Sequence, residues 1–210
     1  MSHLPASIRQ LLAAIRGWVI FTVILGLAYP LVIFGIGQVA FPSHANGSLV
    51  SFHGKVVGSS LLCQEFVDAK GHPLPQYFQP RPSNATSGAS NDYGCNALYS
   101  AATNLGPNNP TLIGLIRQRQ KAIALFDQVP VSAIPADAVT ASGSGLDPDI
   151  SPANAAIQVA RVAAARHVSP AAIKALVTKY TSGRQLGILG EPAVNVLLLN
   201  IALDQHYPLR

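Results

Sequence analysis

The chain has 210 residues, with 14 Lys and Arg against 9 Asp and Glu, and only 11% of it is charged. The basic residues are scattered and no aromatic-interleaved basic patch occurs, which argues against nucleic acid as a partner. No CxxC or HxxxH spacing offers metal ligands, so no metal site is expected; separately, no firmly bound cofactor is expected.

The first element is the run Gly17–Phe41, GWVIFTVILGLAYPLVIFGIGQVAF, which carries no formal charge. As a helix it reaches roughly 37 Å, enough to cross a hydrocarbon core of about 30 Å with some tilt. The run is too long for the apolar region of a cleaved signal peptide, although Ser43-His44-Ala45 resembles a cleavage site. It is also too long and too apolar for a buried core helix. We read it as a retained single-pass membrane span. Arg9 and Arg16 precede it and no Lys or Arg follows until Lys55, so the N-terminus is expected in the cytoplasm. Residues 1–16 are then a short cytoplasmic tail, 17–41 the transmembrane helix, and 42–210 one extracytoplasmic, periplasm-like domain. Trp18 suits an interfacial anchor. Thr22, Gly26 and Pro30 recur at helical spacing with Gly37 on nearly the same face, a stripe of small residues that lets a partner helix approach. Pro30 removes a backbone donor and is expected to kink the helix.

Residues 42–55 read as a polar exit loop, and Lys55–Phe66 as extended. Gln76–Pro82, QYFQPRP, has prolines at 80 and 82 and reads as an extended segment at a sheet edge or on the surface, with Arg81 between the two rings. Ser83–Asn109 is a long loop rich in Ser, Asn, Gly and Ala, of the kind that is often functional or mobile. Asn109-Pro110, Ser151-Pro152 and Ser169-Pro170 each pair an N-cap residue with proline at the first helical position. They predict helices to about Gln128, Arg166 and Tyr180. Ala138–Thr140 reads as a short strand. In Val194–Asp204 the apolar residues alternate, which argues strand, although Val194, Leu197, Leu198 and Ile201 also form a helical stripe. The fold class is therefore α/β in the α+β sense: one membrane helix, then one mixed domain. An oxidising compartment permits a bridge between Cys63 and Cys95. Sequence does not bring their Cα atoms within reach, and two separate thiols are the favoured reading.

The motif TASGSGLD, containing Ser142, Gly143, Ser144, Gly145 and Asp147, is glycine-rich enough for a phosphate loop but lacks the Gly-Lys-Ser/Thr ending. A structural or interface turn is the preferred reading, with Arg81 as a companion candidate. Ser142 or Ser144 with Asp147 and His167 would be the raw material of a hydrolase, yet no GxSxG elbow is present. Asp147 and Asp149 are too few for a calcium loop and suit turn formation ahead of a helix. Asn46-Gly47-Ser48 and Asn84-Ala85-Thr86 match the short glycosylation sequon.

The blocks YPLVIFGIGQVAFP, VVGSSLLCQEF, YFQPRPS, NLGPNNP, TASGSGLDPDISPANAAIQVARVA and LGEPAVNVLLLNIALD, in this order, resemble the C subunit of the Kdp potassium-transporting P-type ATPase, from about residue 10 to residue 204. Cys63 stands where that family commonly has Gly, and Asp92–Ser100 departs from its pattern. The resemblance implies a subunit with no catalysis of its own, in the inner membrane of a bacterium. Its partners would be a potassium-binding channel-like subunit, a P-type ATPase subunit that uses ATP, and a small membrane peptide. It also implies a catalytic-chaperone role that raises ATP affinity, with Gln64 as the nucleotide contact proposed for the family. The topology places Gln64 outside, opposite a cytoplasmic nucleotide site. Any influence on ATP use is then expected to travel through the membrane helices. The alternatives are an anchored hydrolase and an anchored extracytoplasmic binding module.

Overall fold

The computed structural model describes residues 5–209. The chain divides into two compact units, Met1–Ser48 and Leu49–Arg210. In the first unit, α1 (Ala6–Val23), a π-helical turn (Ile24–Ala28) and α2 (Tyr29–Ala40) form one helix of 35 residues, Ala6–Ala40. None of its side chains is buried. The π-turn ends at Ala28, two residues before Pro30. A proline there cannot donate to the carbonyl four residues back, and its ring would collide with that carbonyl; widening the preceding turn accommodates it. The polar stretch expected as an exit loop is more structured than that. It holds a one-turn helix α3 (Pro42–Ala45), fastened by a side-chain hydrogen bond from Asn46 Nδ2 to Gln38 Oε1 at 3.0 Å, and then enters a strand.

The second unit begins with the hairpin β1 (Leu49–Phe52) and β2 (Lys55–Ser59). Its turn residues His53 and Gly54 both have positive φ, 49° and 76°, as the tight hairpin turn that matches strand twist requires. Helices α4 (Pro110–Asp127), α6 (Pro152–Ala165) and α7 (Pro170–Lys179) start where the cap-and-proline pairs place them. Asn109, Ser151 and Ser169 accept the N–H of Thr111, Asn154 and Ala172, at 2.8, 3.0 and 3.3 Å. Each such cap is worth about 1 kcal/mol. A small antiparallel sheet runs in the order β3 (Asp149–Ile150), β5 (Ala193–Asn195), β4 (Thr181–Ser182), with Ile150 opposite Val194 and Thr181 opposite Val194. The core gathers Ile150 and Val194 from the sheet, Val162 and Ala163 from α6, Ile173 and Leu176 from α7, and Leu199 and Leu203 from a last helix.

That last helix, α8 (Val196–His206), corrects the strand reading of 194–204. Only Ala193–Asn195 is strand. Asn195 then turns the chain by accepting the Leu198 N–H at 3.1 Å. Buried Val196, Leu197, Leu199, Asn200, Ala202 and Leu203 lie on several sides of α8, so its apolar positions carry no single period. Ala138–Thr140 is likewise not a strand. Pro135 sets the start of α5 (Ala136–Val139), and Thr140 N–H and Oγ1 both bond back to the Ala136 carbonyl, closing one helical turn.

The segment 76–82 departs most from expectation. It joins no strand and is not superficial, because Phe78 is fully buried. Its main chain is paired with side-chain amides instead. Phe78 N–H donates to Asn200 Oδ1 and Phe78 C=O accepts from Asn200 Nδ2, both at 2.9 Å. Gln79 N–H donates to Gln158 Oε1 at 2.7 Å and its carbonyl accepts from Gln158 Nε2 at 3.2 Å. These primary amides do the work of a neighbouring strand. Two arginines complete the seat. Arg161 donates to the carbonyls of Pro75 and Tyr77, and pairs with Asp127 at 2.7 Å. Arg166 donates to the Gln76 and Tyr207 carbonyls and pairs with Asp204 at 2.8 Å.

Candidate functional site

The glycine-rich motif folds into a turn that several distant segments fasten. Ser142 Oγ accepts the Gly145 N–H at 2.8 Å and Ser144 Oγ accepts the Leu146 N–H at 3.1 Å. Gly145 has φ +72°, and a Cβ on it would lie 2.6 Å from the Ala101 carbonyl oxygen, so no other residue fits without backbone movement. The Gly145 carbonyl accepts the Ser83 hydroxyl at 2.6 Å, the Ser144 carbonyl accepts the Ala101 N–H at 2.9 Å, and the Leu146 carbonyl accepts the Cys63 N–H at 3.0 Å. Gly143 is exposed, with open space about its Cα. Asp147 Oδ1 accepts the Asp149 N–H, and its Oδ2 pairs with Arg81 at 2.7 Å. Arg81 thus joins the proline segment to the turn.

Cys63 and Cys95 form a disulfide with Cα atoms 5.3 Å apart, which corrects the reading of separate thiols. The physical reason lies in tertiary packing. Ser83 Oγ accepts the N–H groups of both Ala85 and Cys95 at 3.0 and 2.9 Å, folding the Ser/Asn-rich loop back on itself, and Asn96 N–H donates to the Ala85 carbonyl. The bridge thus ties the segment that carries Cys63 to the long loop that carries Cys95. Asp92 orders the same loop by accepting hydrogen bonds from Ser87 and Asn96, which hold its carboxyl at about 2.

The long loop and the proline segment wall a cavity of about 320 Å³, small for a ligand site but within its range. Arg81, Arg119, Asp127 and Glu65 line it. Burial pushes the Glu65 carboxyl up to about 7. Neither the cavity nor Glu65 stands out in the sequence, because the cavity's walls come from segments far apart in the chain.

Gln64 sits beside β2 and α8: its Oε1 would be 2.9 Å from a Cβ on Gly58, as would a Leu197 methyl. Among the described residues, no histidine hydrogen-bonds Ser142 or Ser144, whose hydroxyls serve the turn. In the long helix, a Cβ on Gly26 would meet only Thr22 Cγ2, and one on Gly37 only the Ala45 Cβ, each at 3.8 Å. The structure thus gathers Arg81, Asp147 and the Ser142–Gly145 turn, while Thr22, Gly26, Pro30 and Gly37 belong to the other unit.

The family profile described as KdpC, K+-transporting ATPase, c chain, matches residues 11–205. The chain belongs to the KdpC family. It is 49% identical over 191 residues to the potassium-transporting ATPase KdpC subunit of Dechloromonas aromatica, covering 91% of this chain and 94% of that one. The KdpC subunit of Caulobacter vibrioides is 51% identical over 190 residues, 90% of this chain and 89% of its own. That of Mycobacterium tuberculosis is 45% identical over 198 residues, 94% and 98% of the two chains. Family membership covers both the long apolar helix and the mixed domain.

Proposed function

We propose that the chain is the noncatalytic, single-span C subunit of an ATP-driven potassium uptake pump, and that it serves assembly and stability of the complex. The observation that carries this is the family match over residues 11–205, which takes in residues 11–40 of the helix Ala6–Ala40, a helix without one buried side chain. Such a surface requires lipid or other helices around it. The basic residues Arg9 and Arg16 set its N-terminus in the cytoplasm, and the mixed domain lies on the opposite side of an inner membrane. A disulfide in that domain accords with an oxidising compartment. The helix docks through Thr22, Gly26, Pro30 and Gly37, where the small residues leave open space. Its neighbours are a channel-like potassium-binding subunit, the P-type ATPase subunit and a small membrane peptide.

The subunit raises the ATP affinity of its ATPase partner as a catalytic chaperone, through the packed membrane helices rather than by touching nucleotide. Gln64 acts as a spacer between β2 and α8. The turn Ser142–Asp147 and Arg81 are structural and interface elements. The experiment is copurification of the tagged chain from membranes. The wild type is expected to bring a P-type ATPase and a multispanning partner with it, and Gly26→Leu with Gly37→Leu to lose them. Retention of an intact, transporting complex by the double variant would refute the docking face.

A further inference from the structure

The cavity beside Glu65 has apolar walls, formed by Val67 and Pro73, by Pro80 and Pro82, and by Ile123 and Phe126 of α4. Its polar lining is almost fully committed. Gln158 holds the Gln79 main chain and Asn154; Asp127 pairs with Arg161; Arg81 pairs with Asp147; Arg119 donates to the Val139 carbonyl at 2.9 Å. Of the Arg81 guanidinium only Nε is buried without an acceptor, and its charge is balanced at 2.7 Å. The Glu65 carboxyl is the exception. Among the described residues it has neither an ion pair nor a hydrogen bond, although it is partly buried beside Gly94.

A second, shallower recess shares Glu65, Val67 and Tyr93 with the first, and Asp92 lines it. No Lys or Arg lines this recess, so its charged groups are acidic. Tyr93 stands between the two, with its ring against Gly71 and its hydroxyl donating to the Ala69 carbonyl at 3.1 Å. The site therefore offers an apolar chamber, an unpartnered carboxyl at its edge and a second carboxylate at the approach.

We propose that this cavity binds a small organic molecule with an apolar body and a primary ammonium group, the ammonium on the Glu65 carboxylate and the body against Pro80, Pro82, Ile123 and Phe126. A cation there meets the one carboxyl of the lining that has no partner among the described residues, whereas Arg119, which has no ion pair among them either, keeps an N–H on the Val139 carbonyl. A bare inorganic ion would leave the apolar chamber unfilled, and a carboxylate at the same edge would face Glu65 with Asp92 lining the approach; an anion would have to reach Arg119 instead, which is why butyrate is the control. Binding requires Glu65 to be ionised, and the carboxyl that takes the ligand releases its proton to solvent. With its pKa at about 7, affinity rises with pH through that region and levels off above it. Arg81, Arg119 and Asp127 also line the cavity, and Asp92 lines the recess that shares Glu65; Arg81 and Asp127 are ion-paired, Arg119 has the Val139 carbonyl alone among the described residues, and Asp92 is ionised throughout.

The test uses the full chain in neutral detergent, with n-butylammonium, butyrate and potassium chloride as probes in titration calorimetry. Saturable butylammonium binding is expected, weakening roughly 100-fold from pH 8 to pH 5, with heats that depend on the buffer because a proton is released. Glu65→Gln is expected to weaken it at least about tenfold at pH 8. That variant matches the wild type in thermal stability at pH 4, where Glu65 is protonated, so lost binding is not lost folding. Absence of butylammonium binding, butyrate binding of equal strength, equal displacement by potassium, or an unaffected Glu65→Gln variant each overturns the proposal.

Discussion

Replacing Asn200 by Ala isolates what holds the segment 76–82 inside the domain. Asn200 is 1% exposed and Phe78 fully buried, and one primary amide satisfies both the N–H and the C=O of Phe78 at 2.9 Å. Alanine leaves both main-chain groups buried and unpaired. At about 1–3 kcal/mol for each orphaned group the loss is near 4 kcal/mol. For a chain of this size that corresponds to a fall in Tm of about 8–16 °C. Urea unfolding of the chain in neutral detergent, followed by far-ultraviolet circular dichroism, measures the loss. Amide hydrogen exchange localises it, with protection at Phe78 and Gln79 falling more than in the core of α7. Asn200→Asp keeps an acceptor for the Phe78 N–H and removes the donor to its carbonyl, so it retains protection at the Phe78 amide while still destabilising. A loss below about 1 kcal/mol for Asn200→Ala, with Phe78 protection unchanged, would show that the amide pairing is incidental.

Two further outcomes follow from the same domain. Cys63→Ser with Cys95→Ser opens a bridge between residues separated by 32 positions, and loop entropy alone predicts a loss of about 4 kcal/mol. Unfolding with and without reductant checks this, and equal stability of the two forms would contradict it. Glu65 has a folded pKa of about 7 against an ordinary value of 4.5. The fold therefore holds its proton more tightly than the unfolded chain does. Its contribution to stability is complete below about 4.5 and is lost as pH rises through about 7, up to about 3 kcal/mol in all. Glu65→Gln removes that slope, and a pH–stability profile that keeps it in the variant would place the titration elsewhere.

Much of the helical framework is legible in local sequence because its signals are local. Asn109-Pro110, Ser151-Pro152 and Ser169-Pro170 each place a side-chain acceptor and a residue with no N–H where a helix begins. The family is legible because the long ASGSGLDPDISP run must satisfy several segments at once: Ser83, Cys63 and Ala101 all bond to it, and Gly145 admits no side chain. What stays hidden is long-range. Asn200 lies far along the chain from Phe78, and nothing near Gln76–Pro82 announces that amides will replace a strand there. The seating residues Gln158, Arg161 and Arg166 read as the ordinary polar positions of an Ala-rich helix. Alternation in α8 misleads because Leu197 is buried against the hairpin side and Leu199 in the core, so burial erases the period that normally separates strand from helix. The cysteine pair is hidden for the same reason, since the fold of the long loop decides the approach of the two Cα atoms.

The π-turn at Ile24–Ala28 has a geometric consequence for assembly. It inserts one residue more than an α-turn would hold, which rotates everything after it by about 100° against everything before it. Thr22 precedes the turn, Gly26 lies within it, and Gly37 falls after it. Residues that share a stripe on a regular α-helix therefore point in two directions on this one. The docking surface proposed above is therefore two short faces turned against each other, with Thr22 on one and Gly37 on the other, and a partner packed along it would have to follow that turn.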